Sequence, residues 1–331
     1  MVVEIDRASQ NDSVASFMLG ETIRGRVARV DESLNNILFQ HSYPPKVSAL
    51  MAEAILLAIM IGQSIKLKWK LSLQVRGSNA IKLIAVDYFS PRDHGNSAEI
   101  RAYAKFDNCE LKKPTDSAFQ CLGKGFFAVL IDQGSGTEPY QGITPLTGNS
   151  LSSCAETYFF QSEQLPTSFK IVVGQSGTSG LGLRWIGGGL MLQQLPSSDD
   201  VKFKNADLSS ERNSNQTNVV DEMVISDYEN WSRANMLMNT VEELELVGPE
   251  LTFQEVLRRL FYQEYLLVWD SIPLRFGCTC SAEKVARTLS IYSQKDIESM
   301  TTEDGTVTAD CQFCGQHYIL EPNQLGFESK V

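Results

Sequence analysis

Four of the seven cysteines in this 331-residue chain form two close pairs near its end, Cys278 and Cys280 in GCTCSAE and Cys311 and Cys314 in CQFCG, with 30 residues between the pairs. Two thiol pairs supplied by two chain segments are the donor set of a tetrahedral, all-sulfur zinc site. In extended backbone, residues i and i+2 face the same side, so both sulfurs of C-x-C can address one ion. Gly315, directly after the last cysteine, lets the backbone relax as it leaves the metal. The spacing therefore predicts one Zn2+ per chain, held by Cys278, Cys280, Cys311 and Cys314. Only Thr279 separates the first two ligands, too little backbone to wrap a turn around a sulfur, so this half should shield its thiolates poorly. Exposed thiolates oxidise to sulfenic acid and condense with a neighbouring thiol, and each pair already contains a resolving partner. Arg275, Lys284 and Arg287 lie close by in sequence and could favour thiolate, although surface solvation is the favoured role for any one of them.

These cysteines sit in a terminal unit of some 55 residues, with helix candidates in RFGCTCSAEKVARTLSIY and QKDIESM and a hairpin pattern in TVTADCQFCGQHYIL. A unit that small buries little apolar surface and commonly needs a metal or disulfides to fold. Zinc binding is worth roughly 10 to 16 kcal/mol in small zinc-finger peptides, and there it is folding energy. Oxidation of all four ligands should therefore unfold the unit and expose Leu289, Ile291, Tyr292, Phe313, Tyr318, Ile319 and Leu320.

Upstream, PPKVSALMAEAILLAIMIG reads as a core helix that starts at its prolines and is capped by Gly62; its apolar run is too short to cross a bilayer. From Lys66 to Gly77 the chain alternates, which puts Leu67, Trp69, Leu71, Leu73 and Val75 on one face of a strand, and AIKLIAVDYFS comes after a Gly77-Ser78-Asn79 turn. GKGFFAVLIDQG is a further strand. Locally paired strands with helices before and after them give an α+β fold. The composition turns polar from Ser197 to Asn218, which reads as a surface excursion. Helices resume at Asp227 to Glu242, with a Trp231, Met238, Val241 stripe, and at Thr252 to Glu264, where Thr252 and Glu255 form a capping box. The domain reading is a core over residues 1–196, a polar insert and helical linker over 197–275, and a zinc unit over 276–331.

The net charge of −11 is unevenly distributed: residues 1–196 carry +1 and residues 197–331 carry −12. An acidic C-terminal part repels phosphate backbones, which disfavours a zinc-ribbon nucleic-acid binder. The opening MVVEIDRASQNDS lacks a basic segment leading into an apolar one, so a cytoplasmic location is expected, where clustered cysteines serve metal or redox chemistry rather than a disulfide framework. Neither G-x-S-x-G nor H-E-x-x-H occurs, and the glycines of SGTSGLG and Gly187-Gly188-Gly189 fit no nucleotide-binding pattern, so they are assigned to backbone packing. His317 is read as a strand residue, His41 as a loop or capping residue, and Cys109, Cys121 and Cys154 as small buried hydrophobes. A thiol-disulfide oxidoreductase using one cysteine pair is the remaining alternative.

At GCTCSAE and CQFCG, and at IRGRVARV (Ile23 to Val30), HSYPP (His41 to Pro45), YQGITPLTGNSL (Tyr140 to Leu151), YFFQSEQLPT (Tyr158 to Thr167) and GGLMLQQLP (Gly188 to Pro196), the chain resembles the bacterial redox-regulated chaperonins of the heat shock protein thirty-three family. The resemblance implies a non-enzymatic, ATP-independent holdase, zinc-bound and idle when reduced. Oxidation would then release zinc, form disulfides Cys278-Cys280 and Cys311-Cys314, unfold the linker and produce a homodimer. That form would bind unfolding client proteins and pass them to ATP-dependent foldases. It also implies an N-terminal substrate-binding core, a metastable helical linker and a C-terminal zinc domain, with no nucleic-acid or membrane partner.

Overall fold

The computed structural model describes residues 11–91, 96–109, 111, 117–178, 182–196, 228–248 and 250–325. The first ten residues and the polar stretch 197–218 lie outside the described residues, as does the centre of SGTSGLG. The fold is α+β, as the local strand pairing predicted.

Strands β1 (Ser13–Leu19) and β2 (Ile23–Val30) lead through a short helix α1 (Glu32–Leu38) into the central helix α2 (Pro45–Ser64). Next come β3 (Lys70–Gly77), β4 (Ile81–Phe89), β5 (Ala98–Phe106), β6 (Gly125–Asp132) and β7 (Tyr140–Pro145), then α3 (Leu151–Tyr158), β8 (Thr167–Thr178) and β9 (Gly182–Gln194). Downstream lie a helical stretch α4 (228–239), α5 (Glu243–Val247), α6 (Phe253–Leu260), β10 (Leu266–Val268) and β11 (Ile272–Phe276). The chain ends in α7 (Ala282–Leu289), α8 (Gln294–Met300) and the hairpin β12 (Val307–Asp310) and β13 (His317–Leu320).

Two antiparallel half-sheets, β7-β6-β3-β4-β5 and β1-β2-β9-β8, are joined into one by β11, which runs parallel to β5 and antiparallel to β1. β10 extends β1 along the same edge, with Phe17 opposite Val268. The predicted β3–β4 hairpin is present, with Leu73 opposite Val86. Its start differs from the alternation pattern: the strand begins at Lys70, Leu71, Leu73 and Val75 are fully buried, and Trp69 is 39% exposed just outside it. The alternation runs on past the start of the strand, where Trp69 O still accepts from Ser90 N (3.1 Å).

Helix α2 is apolar on all sides because it is buried on all sides. It continues past Gly62 to Ser64, so Gly62 is no cap; an added Cβ there would meet the Tyr88 ring at 2.4 Å, and the glycine is what lets β4 lie against the helix. Glu53, the charge inside the apolar run, accepts hydrogen bonds from Ser152 N (2.9 Å) and Ser152 Oγ (2.8 Å) at the start of α3.

The half-sheet β1-β2-β9 is apolar on both faces. Val14, Ala28, Val30 and Met191 point to α2, while Ala15, Phe17, Leu19, Val27, Leu190 and Leu192 point to the opposite face. That outer face is covered by the linker helices through Ala234, Met238, Val241, Leu246, Phe253, Val256, Leu257 and Phe261. The predicted stripe and the Thr252–Glu255 capping box are both present. The three glycines serve both faces, as their assignment to packing foresaw. Side chains on Gly187 and Gly189 would run into Leu56 and Met60 of α2, whereas one on Gly188 would meet the Leu246 carbonyl oxygen at 2.5 Å.

The linker is fixed at the same place by Arg29 on β2, which is 4% exposed. Its guanidinium donates to the carbonyls of Leu246 (2.9 Å), Leu251 (2.5 Å) and Glu245 (2.8 Å) and lies over the Phe253 ring. These are carbonyls at and beyond the end of α5, where the helix leaves acceptors unpaired. Burial lowers the Arg29 pKa to about 10, so the group stays charged at neutral pH.

A Gly188→Ala variant should push α5 off the sheet while sparing the α2 side, at a cost of about 1–3 kcal/mol, typical of overpacking. The expected outcome is faster hydrogen exchange across residues 243–261 with β3–β6 unchanged; unaltered exchange in the linker would refute this account of its docking.

Candidate metal centre

Cys278 and Cys280 lie on the extended segment that leaves β11, and Cys311 and Cys314 in the turn joining β12 to β13. The first segment stops at Ser281, whose Oγ accepts from Lys284 N and starts α7. In the second, Cys311 N donates to Gln316 O and Gly315 N to Cys311 O, with Gly315 at φ +65°, so the turn does use a glycine where it leaves the cysteines.

The four Sγ atoms lie within 4.8 Å of one another. Across the motifs, Cys278 Sγ lies 3.7 Å from Cys311 Sγ and Cys280 Sγ 3.3 Å from Cys314 Sγ. A tetrahedron of sulfurs around zinc has edges of roughly 3.8 Å, set by the Zn–S bond length. Four thiols with such spacing could hold one tetrahedral metal ion. All four are half-buried, so C-x-C is no barer than C-x-x-C, contrary to the expectation from its shorter backbone.

The sulfurs are electrostatically unequal. Burial alone would raise the Cys280 thiol, but hydrogen bonds from Tyr318 Oη (3.0 Å) and the neighbouring thiols outweigh it and bring the pKa down to about 7. Burial raises the thiols of Cys278 and Cys314. A cleft of about 400 Å³, lined among others by Trp69, Phe89, Glu99, Arg275, Cys278 and Thr279, leads to the first motif.

Two of the three cations expected to favour thiolate have other partners. Arg275 pairs with Glu99 (2.5 Å), and the Lys284 ammonium donates to the Thr279 carbonyl. The cation at the sulfurs is one that sequence reasoning missed: Arg101 Nη1 lies 3.7 Å from Cys278 Sγ and 3.4 Å from Thr279 Oγ1, with its guanidinium 4.2 Å from the Phe313 ring. Asp87 on β4 holds it at 2.6 Å. An Asp inside the apolar strand IKLIAVDYF was the available clue, since a buried carboxylate needs a partner.

His41 turns out to face the second motif, its Nε2 lying 2.8 Å from Gln312 O. His317 is a strand residue outside the sulfur cluster, 2.6 Å from Asp310. Cys121 and Cys154 are buried as expected, whereas Cys109 is exposed. Of the side chains expected to be hidden by the terminal unit, Leu289, Phe313, Tyr318 and Leu320 are half-buried, whereas Ile291 and Ile319 are 72% and 66% exposed and Tyr292 is exposed too. The buried residues are instead Ile297, Val307 and Leu325, with Ala286, Leu289 and Leu320 packed beside them.

A family model described as Hsp33 protein matches residues 12–321. Among curated proteins, the 33 kDa chaperonin of Caulobacter vibrioides is 30% identical over 323 residues, covering 96% of this chain and 97% of its own length. That of Azotobacter vinelandii is 33% identical over 319 residues, covering 96% and 94%. The crystal structure of the Thermotoga maritima 33 kDa chaperonin superposes with a TM-score of 0.72 at 19% identity, covering 95% of this chain and 96% of that one, so the fold is shared. With the match running from β1 to beyond the last cysteine, the chain belongs to the Hsp33 family of chaperones.

Proposed function

We propose that the chain is an ATP-independent holdase, active in the cytoplasm, whose client binding is switched on by oxidation of Cys278, Cys280, Cys311 and Cys314. The observation that carries this reading is the gathering of four sulfurs within 4.8 Å at the head of a unit whose own core is three buried side chains. Zinc, when bound, supplies a divalent charge that holds the four sulfurs as thiolates and ties the two motifs together.

Oxidation removes the ligands. In each pair the two thiolates give two electrons to one peroxide, two protons come from solvent, an S–S bond forms as the O–O bond breaks, and two waters leave, so two peroxides consume all four sulfurs. Pairing within each motif, Cys278 with Cys280 and Cys311 with Cys314, is the arrangement we propose by analogy with the family. Crossed pairing of Cys278 with Cys311 and Cys280 with Cys314 is the other outcome a peptide map can return. Either way the metal has no ligands left, and a unit held by so few apolar contacts unfolds.

Downstream of that event lies the linker. Helices α5 and α6 are 5 and 8 residues long. Isolated helices that short are unstable in water, so they persist only while docked. Their undocking bares Phe17, Leu19, Val27, Leu190 and Leu192 on the sheet, an apolar surface of the kind that marks binding sites. Unfolding clients are the partners this surface suits. Homodimerisation of the oxidised form and hand-over of clients to ATP-dependent foldases complete the proposal, with neither nucleic acid nor membrane as partner. The domain division that goes with it is a core over 1–196, a linker over 197–275 and a redox unit over 276–331.

Treatment of the zinc-loaded reduced protein with peroxide at mild heat should release one zinc per chain, remove four titratable thiols and create suppression of client light scattering in the same sample. Suppression that is equal with and without reductant would defeat the switch. Separately, stripping the metal from reduced protein with a chelator should abolish amide protection over residues 277–325 while β3–β6 stay protected. A terminal unit that keeps its protection without metal would show that zinc does not hold it together.

A further inference from the structure

Three residues lie between ligands in the two cysteine motifs, Thr279 in the first and Gln312 and Phe313 in the second. The core touches all three. Arg101 Nη1 is 3.4 Å from Thr279 Oγ1, His41 Nε2 is 2.8 Å from Gln312 O, and the Arg101 guanidinium lies 4.2 Å from the Phe313 ring. None of these contacts uses a sulfur, and each depends on the shape that its loop adopts.

Arg101 is built into the sheet rather than projecting from a loop. Ser72, Asp87 and Arg101 occupy facing positions on β3, β4 and β5. Ser72 Oγ donates to one Asp87 oxygen (2.5 Å), and Arg101 Nε (2.9 Å) and Nη2 (2.6 Å) donate to the other. The guanidinium is also 5.3 Å from the Phe89 ring, so it stands between an aromatic of the core and Phe313 of the metal loop. Its side chain is 15% exposed and that of Asp87 9%. A fork whose two inner donors are fixed by a carboxylate presents Nη1 in one direction only, and that direction is toward the Cys278 side of the site. The approach is close enough that Gly277 has no room for a side chain, since a Cβ would meet Glu99 at 2.8 Å.

We propose that Arg101, fixed by Asp87 and assisted by His41, is a positioning residue that clamps both metal loops against the face of β4 and β5, so that the core senses the state of the cysteines directly as well as through the linker. The proposal rests on the metal reading given above. Four thiolates around a divalent cation leave two surplus negative charges, and a fixed cation beside Cys278 compensates part of them. When the sulfurs pair with one another the loops change shape, Thr279, Gln312 and Phe313 shift, and the clamp lets go.

The test compares the zinc-loaded, reduced full-length chain with Phe313→Ala, which alters the loop and leaves the core intact, and with Asp87→Asn/Arg101→Met, which removes the ion pair without stranding either charge. Hydrogen exchange of residues 277–281 and 311–315 and the rate of zinc release under peroxide are the readouts. Both variants should hold one zinc, exchange faster in these two loops alone, and release zinc about five- to tenfold faster, as expected for loss of a partly desolvated cation–π contact. Arg101→Lys, which keeps the charge and loses the fork, should fall between. Loop exchange within about twofold of the parent in both variants would overturn the clamp, and so would an acceleration spread through β3–β6, which would make the ion pair a mere support of the sheet. A parent that binds no zinc would defeat the metal reading instead, and the loop exchange measured in the same samples would still decide the clamp.

Discussion

Four sulfurs within 4.8 Å of one another cannot all be thiolates unless a cation lies among them. The resting structure depends on that constraint, because the terminal unit has little else to hold it. Among the described residues its buried set is Ile297, Val307 and Leu325, worth about 5–9 kcal/mol at the usual ~1.5–3 kcal/mol per side chain. Zinc coordination, at roughly 10–16 kcal/mol in small zinc-finger peptides, would add at least as much again. If zinc fills the site as proposed, an oxidant that consumes its ligands acts on folding energy directly.

The large sheet has the opposite character. Its inner face is closed by α2 with a continuous apolar core, and among the described residues its outer face is covered by short segments: the linker over β1, β2 and β9, and the cysteine loops beside Arg101 on β5. Each cover is held by an arginine on the sheet. Arg29 has three carbonyls as acceptors, while Arg101 keeps its charge paired with Asp87. A buried guanidinium satisfied only by neutral groups loses hydration that carbonyls replace in part, so linker docking is opposed by the charge it covers. Such docking is specific in its acceptors and costly in desolvation.

Much of this was legible in the chain. Helix α2, the β3–β4 hairpin and the linker stripe come from local spacing, because each is decided by neighbours within a few residues, and the two cysteine pairs, though 30 residues apart, do come together. Errors arose where a remote partner decides. Gly62 resembled a cap, but its role is to admit Tyr88. Trp69 kept the strand's alternation beyond the strand itself. Arg29, Arg101 and His41 act on groups 217, 177 and 271 residues away, so nothing in their own surroundings announces them. Asp87 came nearest to a signal, as a lone acid in an apolar strand.

The two covered faces meet at one element. Strand β11 fills the gap between the half-sheets, pairing with β5 over Leu274, Arg275 and Phe276 and with β1 over Ile272 and Pro273, and Cys278 comes two residues after it. On its other side, β10 pairs with Phe17, Met18 and Leu19 of β1, and Phe17 and Leu19 are among the side chains that the linker covers. Five paired residues, two of them against β1, are a small hold for the strand that makes one sheet of two. A parallel pairing as short as that between β11 and β5 gains little by itself. Its position is secured from both ends, by the metal loops seated against Arg101 on its C-terminal side and by β10 against β1 on its N-terminal side. Without the first seat, β11 would be held by its own short pairings and by β10.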